Sequence, residues 1–392
     1  MFHAHVSAFR TFVNRLRLPW NTYQQENLVR LGAAVIQRRS LPVRRLARTI
    51  AGPSRNHRAA DKRLRRFLGN PALGPAALDA ALTAHLSFLL SRLGAVPFVP
   101  VMLDWTFIKG RAILWAQIPY RGRALPLFSL VQDYPMTDEE ARRTAAEQHL
   151  ITRLHRCWPA GAPPPVLLMD RGFDKGPLLR FLLAHKRLFI VRIQRGHLLY
   201  DAAGNHLNDA YDGEGTLVHQ GPLHPEPGKQ ILFPQITYLQ KERLPLNLAV
   251  SAIREPKTGK LKEWRLVTNL TAEHLGRVPK LYAQRMSPEE VHRDSKRGFA
   301  VSGMGLCHLG RLRPDRLERL IFMWGLIYGY LVLVAETARE SREWLCERHW
   351  GLSLAQYALD LLHAPGARPL QMARQACASV RLEPLWPTGG DC

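Results

Sequence analysis

The segment Tyr282-Ala-Gln-Arg285-Met-Ser-Pro-Glu289-Glu-Val-His-Arg-Asp-Ser-Lys296 carries a phenol, two cations and a carboxylate at spacings of three, four and seven residues. At about 100° per residue, an ideal helix would place these four side chains within an arc of roughly 60°. This stripe suits metal-dependent phosphodiester chemistry, because the acid could hold a cation while the basic residues and the phenol hold phosphates.

A proline interrupts this segment. Pro288 cannot sit inside a regular helix, because it has no N–H and clashes with the preceding turn. The stretch Ser287-Pro288-Glu289-Glu290 is instead typical of a helix start, with the serine as cap, proline first and the second glutamate closing a capping box. We therefore predict that Glu289 and Lys296 share one helical face, and that the tyrosine and the first arginine precede it on a turn or a bent helix.

The charge balance of the chain indicates a polyanionic partner. The 392 residues predict two or three domains, and 46% hydrophobic with 22% charged residues is ordinary for a globular protein. However, 55 Lys and Arg face only 32 Asp and Glu, which gives a net charge of +23. Such an excess favours binding to nucleic acid. A general basic bias of the source proteome would be the alternative.

The cysteine spacing and the apolar runs indicate the cellular compartment in which the protein works. The five cysteines form no CxxC pair and no zinc-type spacing, so neither a disulfide framework nor a structural zinc is expected. The N-terminal segment lacks an apolar core of signal-peptide length. The apolar run Leu320–Ala335 is shorter than the roughly 20 residues of a membrane span, and it predicts a buried helix. We expect a cytoplasmic protein with no membrane partner.

Residues 1–95 are predicted to be helical and basic. Between Arg38 and Arg66 there are eleven Arg or Lys and a single acid, Asp61. Two short helical patterns, at 41–50 and 59–68, are separated by Gly and Pro. This pattern fits a helix-turn-helix-like DNA-binding motif, and it fits equally a basic helical bundle that touches phosphates without contacting bases.

After residue 97 the sequence pattern changes from helical to strand-like. Apolar or alternating stretches predict strands at 98–103, 112–120, 124–131, 166–169, 188–193, 230–239, 246–253 and 264–268. Helices are expected at about 138–155 and 176–185, in the helical tail that begins near residue 314, and at 352–362. The middle of the chain therefore predicts an α/β fold with a β-rich part between about residues 195 and 270.

Two aspartates follow apolar strands: Asp104 after Val-Met-Leu and Asp170 after Leu-Leu-Met. The carboxyl ends of strands are where sites assemble in α/β sheets, although a single aspartate there is more often a cap or turn residue. Together with Glu289 they would form a three-carboxylate set suited to Mg²⁺, with Mn²⁺ as a substitute. Two such ions could activate an attacking oxygen and stabilise a leaving one.

The order Asp104 … Asp170-Arg-Gly-Phe173 … Tyr282-x2-Arg285-x3-Glu289-x6-Lys296 resembles the DDE transposases of the insertion-sequence-four family. The signature matches at all four positions around the glutamate, and the resemblance covers most of the chain. One departure is Met-Ser-Pro between the arginine and the glutamate, where relatives usually place an aromatic and an aliphatic residue.

The resemblance implies a ribonuclease-H-like core with a mixed sheet, a β-rich insertion before the third acid and a basic helical N-terminal domain. It implies that Asp104, Asp170 and Glu289 bind two magnesium ions, and that the protein cuts DNA at the inverted repeats of an element and joins the ends to target DNA. Four residues would contact that DNA: Tyr282, Arg285, Lys296 and Arg171. A homodimer that pairs two ends, in a prokaryotic nucleoid, would follow.

From these patterns we predict five segments. They are a DNA-binding domain (1–95), the first part of the catalytic core (96–194), the β-rich insertion (195–272), the third acid with the signature helix (273–312) and a C-terminal helical region that could serve dimerisation (313–392).

Other assignments stay open at this point. The chain could be a ribonuclease-H-fold nuclease without strand transfer, or a catalytically inactive DNA-binding derivative. Glu290 competes with Glu289 as a metal ligand, although the capping box gives it another role. Trp105 could stack on a base, but packing against the core is favoured. The remaining nearby acids are expected to be solvated: Asp133, Asp174 and Asp294.

Overall fold

The structure is a computed structural model, and it describes most of the chain. The described residues are 2–52, 56–120, 123–194, 196–211, 216–239, 243–254, 261–286, 312–338, 354–378 and 380–382. Glu289, Glu290, Asp294 and Lys296 lie outside these ranges, as does the predicted start of the signature helix.

The described part of the first ninety residues is mainly helical, as predicted. They form α1 (Phe2–Leu16), α2 (Thr22–Arg38), α3 (Val43–Ala51), α4 (His57–Leu68), a 3-10 turn (Pro71–Leu73) and α5 (Pro75–Leu90). Asn21 caps α2 through a capping box, because its side chain accepts from the Gln24 N–H while the Gln24 side chain accepts from the Asn21 N–H. The two short helical patterns of the sequence correspond to α3 and α4.

Most described strands lie in one mixed sheet. The strands are β1 (Val99–Ile108), β2 (Arg111–Tyr120), β3 (Arg123–Asp133), β4 (Pro165–Met169), β5 (Leu188–Arg192), β6 (Leu199–Tyr200), β7 (Ala210–Tyr211), β8 (Leu217–His219), β9 (Gln230–Tyr238), β10 (Leu244–Arg254) and β11 (Leu261–Thr268). Nine of them form a sheet in the order β3-β2-β1-β4-β5-β11-β10-β9-β6, and β7 pairs with β8. The predicted α/β class with a mixed sheet is confirmed.

Parallel pairing is found at the centre of this sheet. β4 pairs with β1 and with β5 in parallel, whereas β2 with β3, β5 with β11, β11 with β10 and β10 with β9 pair antiparallel. Parallel strands need a crossover, and α6 (Glu139–Cys157) and α7 (Gly176–Ala184) lie between these strands in the chain. The strands of the predicted β-rich insertion join the same sheet, because β11 pairs with β5.

One predicted strand end was wrong. The sequence pattern predicted that Asp104 directly follows a strand, but β1 continues to Ile108. The extension is driven by alternation, since Thr106 and Ile108 are buried while Phe107 is exposed. The residues after the apolar run therefore still form a half-buried strand.

Three described helices follow residue 312. They are α10 (Pro314–Glu336), α11 (Leu354–His363) and α12 (Pro369–Ala378), preceded in the chain by the short α8 (Ala272–Leu275) and α9 (Val278–Ala283). Among the described residues, α10 is the one helix long and apolar enough to cross a membrane by length and composition, and 94% of its apolar window is buried inside the protein. A core helix passes the same test, and the prediction of a buried helix is confirmed.

The chain forms two compact units. The first comprises Met1–Ala95, Trp105–Ala162 and Ser287–Pro384, and the second comprises Val96–Asp104, Pro163–Met286 and Leu385–Cys392. In the first unit α10 packs on β3 so closely that a Cβ added at Gly325 would lie 2.8 Å from the carbonyl oxygen of Pro126. The five segments inferred from the sequence stay predictions.

Candidate active site

The parallel pairing of β1 and β4 brings two acids of the second unit side by side. Met102 of β1 is in register with Leu168 of β4. Asp104 lies two residues beyond the first partner and Asp170 lies two residues beyond the second. Because parallel strands advance in the same direction, this equal offset places the two carboxylates next to each other.

A single arginine bridges these carboxylates. Nη2 of Arg285 donates to Oδ1 of Asp104 at 3.1 Å and to Oδ2 of Asp170 at 2.9 Å. The Arg285 side chain is 16% exposed, and the two aspartate side chains are 21% and 39% exposed. Two neighbouring carboxylates repel each other unless a cation lies between them, and the guanidinium of Arg285 supplies the positive charge.

The position of Arg285 follows from a short helix and the turn after it. Tyr282 lies on α9, and the residues Gln284–Met286 form a single 3-10 turn. The prediction that the tyrosine and the arginine lie on a turn or a bent helix is therefore confirmed, whereas the helix predicted to carry the glutamate lies outside the described residues. The tyrosine is buried in the core, while the arginine, three residues later, reaches Asp104 and Asp170.

Tyr282 is an interior residue. Its side chain is 1% exposed, and its ring meets the ring of Trp264 edge to face with 5.1 Å between centroids. Burial raises the pKa of the phenol to about 12, although the charge of Arg285 lowers it in part. The phenol is therefore protonated at any physiological pH. A direct contact of this hydroxyl with DNA stays a prediction.

Asp170 is held by a local turn. One carboxylate oxygen, Oδ1, accepts a hydrogen bond from the N–H of Gly172 at 2.8 Å, which starts the 3-10 turn Arg171–Phe173. The other oxygen is the one that faces Arg285. Phe173 anchors the turn in the core, whereas Arg171 is exposed. This turn fixes the orientation of the Asp170 carboxylate and leaves the Arg171 side chain accessible to an anion.

Asp174 contradicts its prediction. We expected a solvated acid, but its side chain is fully buried in the second unit. Oδ1 accepts a hydrogen bond from the Tyr238 hydroxyl at 2.5 Å, and Oδ2 accepts one from the Gln194 N–H at 2.8 Å. His197 Nε2 lies 3.7 Å from the same Oδ2. Burial raises the pKa of Asp174, while these hydrogen bonds lower it in part.

Asp174 closes the turn that begins at Asp170. Its partners lie 20 and 64 residues further along the chain, so no local motif could have disclosed them. The one signal in the sequence was its position, four residues after the strand-end aspartate. The buried carboxylate ties the turn to the β5–β6 connection and to β9, and it thereby restrains the backbone that carries Asp170.

The other acid and the tryptophan have ordinary structural roles in the first unit. Asp133 is exposed and pairs with Arg111. Trp105 donates from Nε1 to Oε1 of the buried Glu147 at 3.0 Å, which agrees with the favoured interpretation of packing. Its ring also stacks with Phe107, whose side chain is 40% exposed.

The carboxylates of Asp104 and Asp170 fit a divalent cation. Within the described ranges no three His, Cys, Asp or Glu side chains come together as a metal-binding group, and the predicted third ligand, Glu289, lies outside those ranges. Asp104 and Asp170 nevertheless present carboxylate oxygens that already share a positive charge. Hard cations such as Mg²⁺ prefer oxygen ligands of this kind.

Comparison with known proteins agrees with this chemistry. Residues 118–305 match the family model described as Transposase DDE domain. The matched segment contains Asp170, Tyr282, Arg285, Glu289 and Lys296, and it begins after Asp104. No curated protein sequence matches the chain. The match supports a DDE transposase, and the mixed nine-stranded sheet with flanking helices is consistent with the ribonuclease-H-like fold of such enzymes.

Proposed function

We propose that this protein is a DNA transposase of the insertion-sequence-four type, which cleaves DNA at the ends of an element and joins the 3′-hydroxyls to target DNA. The observation that carries the proposal is the pair Asp104 and Asp170, aligned by the strand register and bridged by Arg285. The match of residues 118–305 to a transposase domain supports it from the sequence side.

The metal ligands in this proposal are Asp104, Asp170 and Glu289. Two bound Mg²⁺ ions would supply activation of the attacking oxygen and stabilisation of the leaving oxygen. Asp104 on β1 and Asp170 directly after β4 already lie side by side without substrate, and the signature glutamate would add the third carboxylate. Repulsion among three carboxylates is the physical reason why such a set binds cations.

The reaction consists of two displacements at phosphorus. In the first, a water oxygen attacks the phosphorus at the element end, the bond from phosphorus to the 3′-oxygen breaks, and that oxygen takes up a proton. In the second, the new 3′-hydroxyl oxygen attacks a phosphorus of the target DNA, loses its proton and displaces another 3′-oxygen. Each step breaks one ester bond, and the second also forms one.

Arg285 would change partners during this cycle. In the protein alone it neutralises the two aspartates, and a cation bound there would remove the need for it. A guanidinium released next to the site is well placed to pair with a phosphate oxygen of DNA, because its planar fork matches that geometry. Lys296 and the exposed Arg171 would add further phosphate contacts, and Tyr282 would support the arginine from the core.

The substrate would be double-stranded DNA with terminal inverted repeats together with a target duplex, and a homodimer would hold two ends. The net charge of +23 supports a polyanionic substrate. A transposase of this type would work in a prokaryotic cytoplasm, associated with the nucleoid.

The direct test uses a duplex that carries the inverted repeats flanking the reading frame, already cleaved to a free 3′-hydroxyl, with a plasmid target and Mg²⁺. A transposase gives plasmid joined to the labelled end. A nuclease without strand transfer gives shorter fragments and no joined product. Binding of the end without either product, in Mg²⁺ and in Mn²⁺, would favour the inactive derivative.

A further inference from the structure

A cavity of about 490 Å³ lies at the C-terminal end of α4 in the first unit. Its charged lining comes from two helices that are far apart in sequence: Arg65 and Arg66 from α4, and Arg316 from α10. Tyr23 of α2 closes one side. The described lining residues include no acid, so three guanidinium groups surround a space without a carboxylate of its own.

Contacts with neighbouring residues of the first unit hold Arg65 and Arg316 in place. Arg65 donates from Nε to Oδ2 of Asp61 at 2.8 Å, one helical turn earlier. Arg316 packs against Gly69, where an added Cβ would lie 3.1 Å from Nη2. Within the described ranges, the buried Nε of Arg316 has no hydrogen-bond partner. A buried donor without an acceptor is costly, so this group is prepared for an acceptor that the described part of the protein does not provide.

The positive surface continues along α4. Arg58, Lys62 and Arg66 are all exposed and follow one another at intervals of four residues. Such residues share one face of a helix, and the rise of 1.5 Å per residue makes this row about 12 Å long. Duplex DNA carries one charge per about 1.7 Å of its axis, so the row can face several phosphates.

Tyr23 gives the cavity a second feature. Its side chain is 52% exposed, and the guanidinium of Arg63 lies 5.6 Å from the ring centroid. Arg63 itself donates to Oδ1 of Asn27 at 2.8 Å. An exposed ring beside arginines can pack against the sugar of a bound strand while the cations hold its phosphates.

We propose that Tyr23, Arg65, Arg66 and Arg316 form a phosphodiester-binding pocket that holds the backbone of duplex DNA at the end of the α4 row. The pocket deepens the proposed function, on which it rests, by joining a helix of the N-terminal region to a helix of the C-terminal region in one DNA contact. It assigns to Arg316, which lies outside the signature and outside the basic N-terminal stretch, a direct contact with substrate.

The test measures DNA affinity as a function of salt by fluorescence anisotropy of a labelled duplex. The variants are Arg66→Gln/Arg316→Gln and, as the matched control, Arg374→Gln, an exposed arginine of α12. Each phosphate contact contributes about 0.9 to the slope of log affinity against log salt. The double variant should lose about one to two units of slope, and its binding at about 0.1 M salt should be at least roughly tenfold weaker.

Charge-retaining and single variants guard against misfolding. Arg66→Lys/Arg316→Lys should keep most of the slope, because lysine still neutralises a phosphate. Arg66→Gln alone changes an exposed side chain and should lose about one unit. A slope for the double variant equal to that of Arg374→Gln would overturn the proposal.

Two further measurements distinguish DNA binding in this pocket from the binding of free phosphate and from catalysis. If pyrophosphate raises the melting temperature of the wild type but not of the double variant, while the DNA slopes are equal, the ligand is a free phosphate and the DNA assignment fails. A wild type that binds DNA through this pocket but never cleaves it would contradict the proposed function and leave the pocket intact.

Discussion

Arg285 donates a hydrogen bond from Nη2 to Oδ2 of Asp170 at 2.9 Å, and the same nitrogen reaches Asp104 at 3.1 Å. One guanidinium thus occupies the place between two carboxylates that a divalent cation would take in the proposed reaction. In the proposed reaction, arginine and metal would therefore compete for the same oxygens, and the arginine would be free for a phosphate only with the metal bound.

Removal of this arginine should strengthen metal binding in the absence of DNA. For Arg285→Met we expect Mn²⁺ to bind roughly fivefold more tightly, because the metal no longer has to displace a charged hydrogen bond worth about 1 kcal/mol at this partly exposed site. Electron paramagnetic resonance of free Mn²⁺ measures this directly. Arg277→Met, at an exposed position in the same unit, is the control. Equal affinities for the wild type and Arg285→Met would exclude the competition.

The buried phenol of Tyr282 predicts a loss of stability at alkaline pH. Its pKa is raised from 10.0 to about 12, so its contribution is fully present below pH 10 and is lost as the pH rises through 12. The shift corresponds to roughly 2–3 kcal/mol. Urea unfolding should therefore show the wild type losing about 2–3 kcal/mol of stability relative to Tyr282→Phe between pH 10 and about pH 12, because phenylalanine has no proton to lose. A difference that stays constant with pH would show that the phenol titrates normally.

The buried carboxylate of Asp174 should position the turn that carries Asp170. Both of its oxygens accept hydrogen bonds, so Asp174→Asn would place an amide donor against the Tyr238 hydroxyl or the Gln194 N–H. We expect a loss of about 1–3 kcal/mol in the free energy of unfolding. Cleavage should fall further than the folded fraction does.

Tyr238→Phe provides the comparison for this prediction, since it removes one donor and keeps the carboxylate. It should cost less stability and retain more of kcat than Asp174→Asn. If kcat in both variants simply followed the folded fraction, Asp174 would have a structural role alone.

Much of this organisation could be predicted from the sequence. The features that could not be predicted depend on weak patterns or on contacts between distant segments. Apolar runs ending near Asp104 and Asp170 predicted the strands, and composition predicted the helical N-terminal region. The continuation of β1 depends on weak alternation that a count of apolar residues misses. The partners of Asp174 and the pairing of Arg285 depend on contacts between distant segments, which local patterns do not contain.

The contact between α10 and β3 predicts a strong effect of one methyl group. Gly325→Ala would place Cβ 2.8 Å from the carbonyl oxygen of Pro126, so helix and strand must separate, at a cost of about 1–3 kcal/mol. Gly329→Ala, on the same helix, is the matched control, because its Cβ would lie 3.6 Å from His85 in ordinary contact. Thermal unfolding should show a lower midpoint for the first variant alone. Equal midpoints would mean that the helix and strand can yield at this point.

Asp104 and Asp170 should both be needed for strand joining, because the proposed mechanism uses both carboxylates as metal ligands. Asp104→Asn and Asp170→Asn are compared with Asp133→Asn, an exposed aspartate with the same change of charge, in the joining of a pre-cleaved element end to a plasmid with Mg²⁺. We predict that the first two variants bind the end but yield no joined product, while Asp133→Asn joins at the wild-type rate. Joining by either of the first two at a rate near that of the control would show that the carboxylate concerned has no role in strand joining.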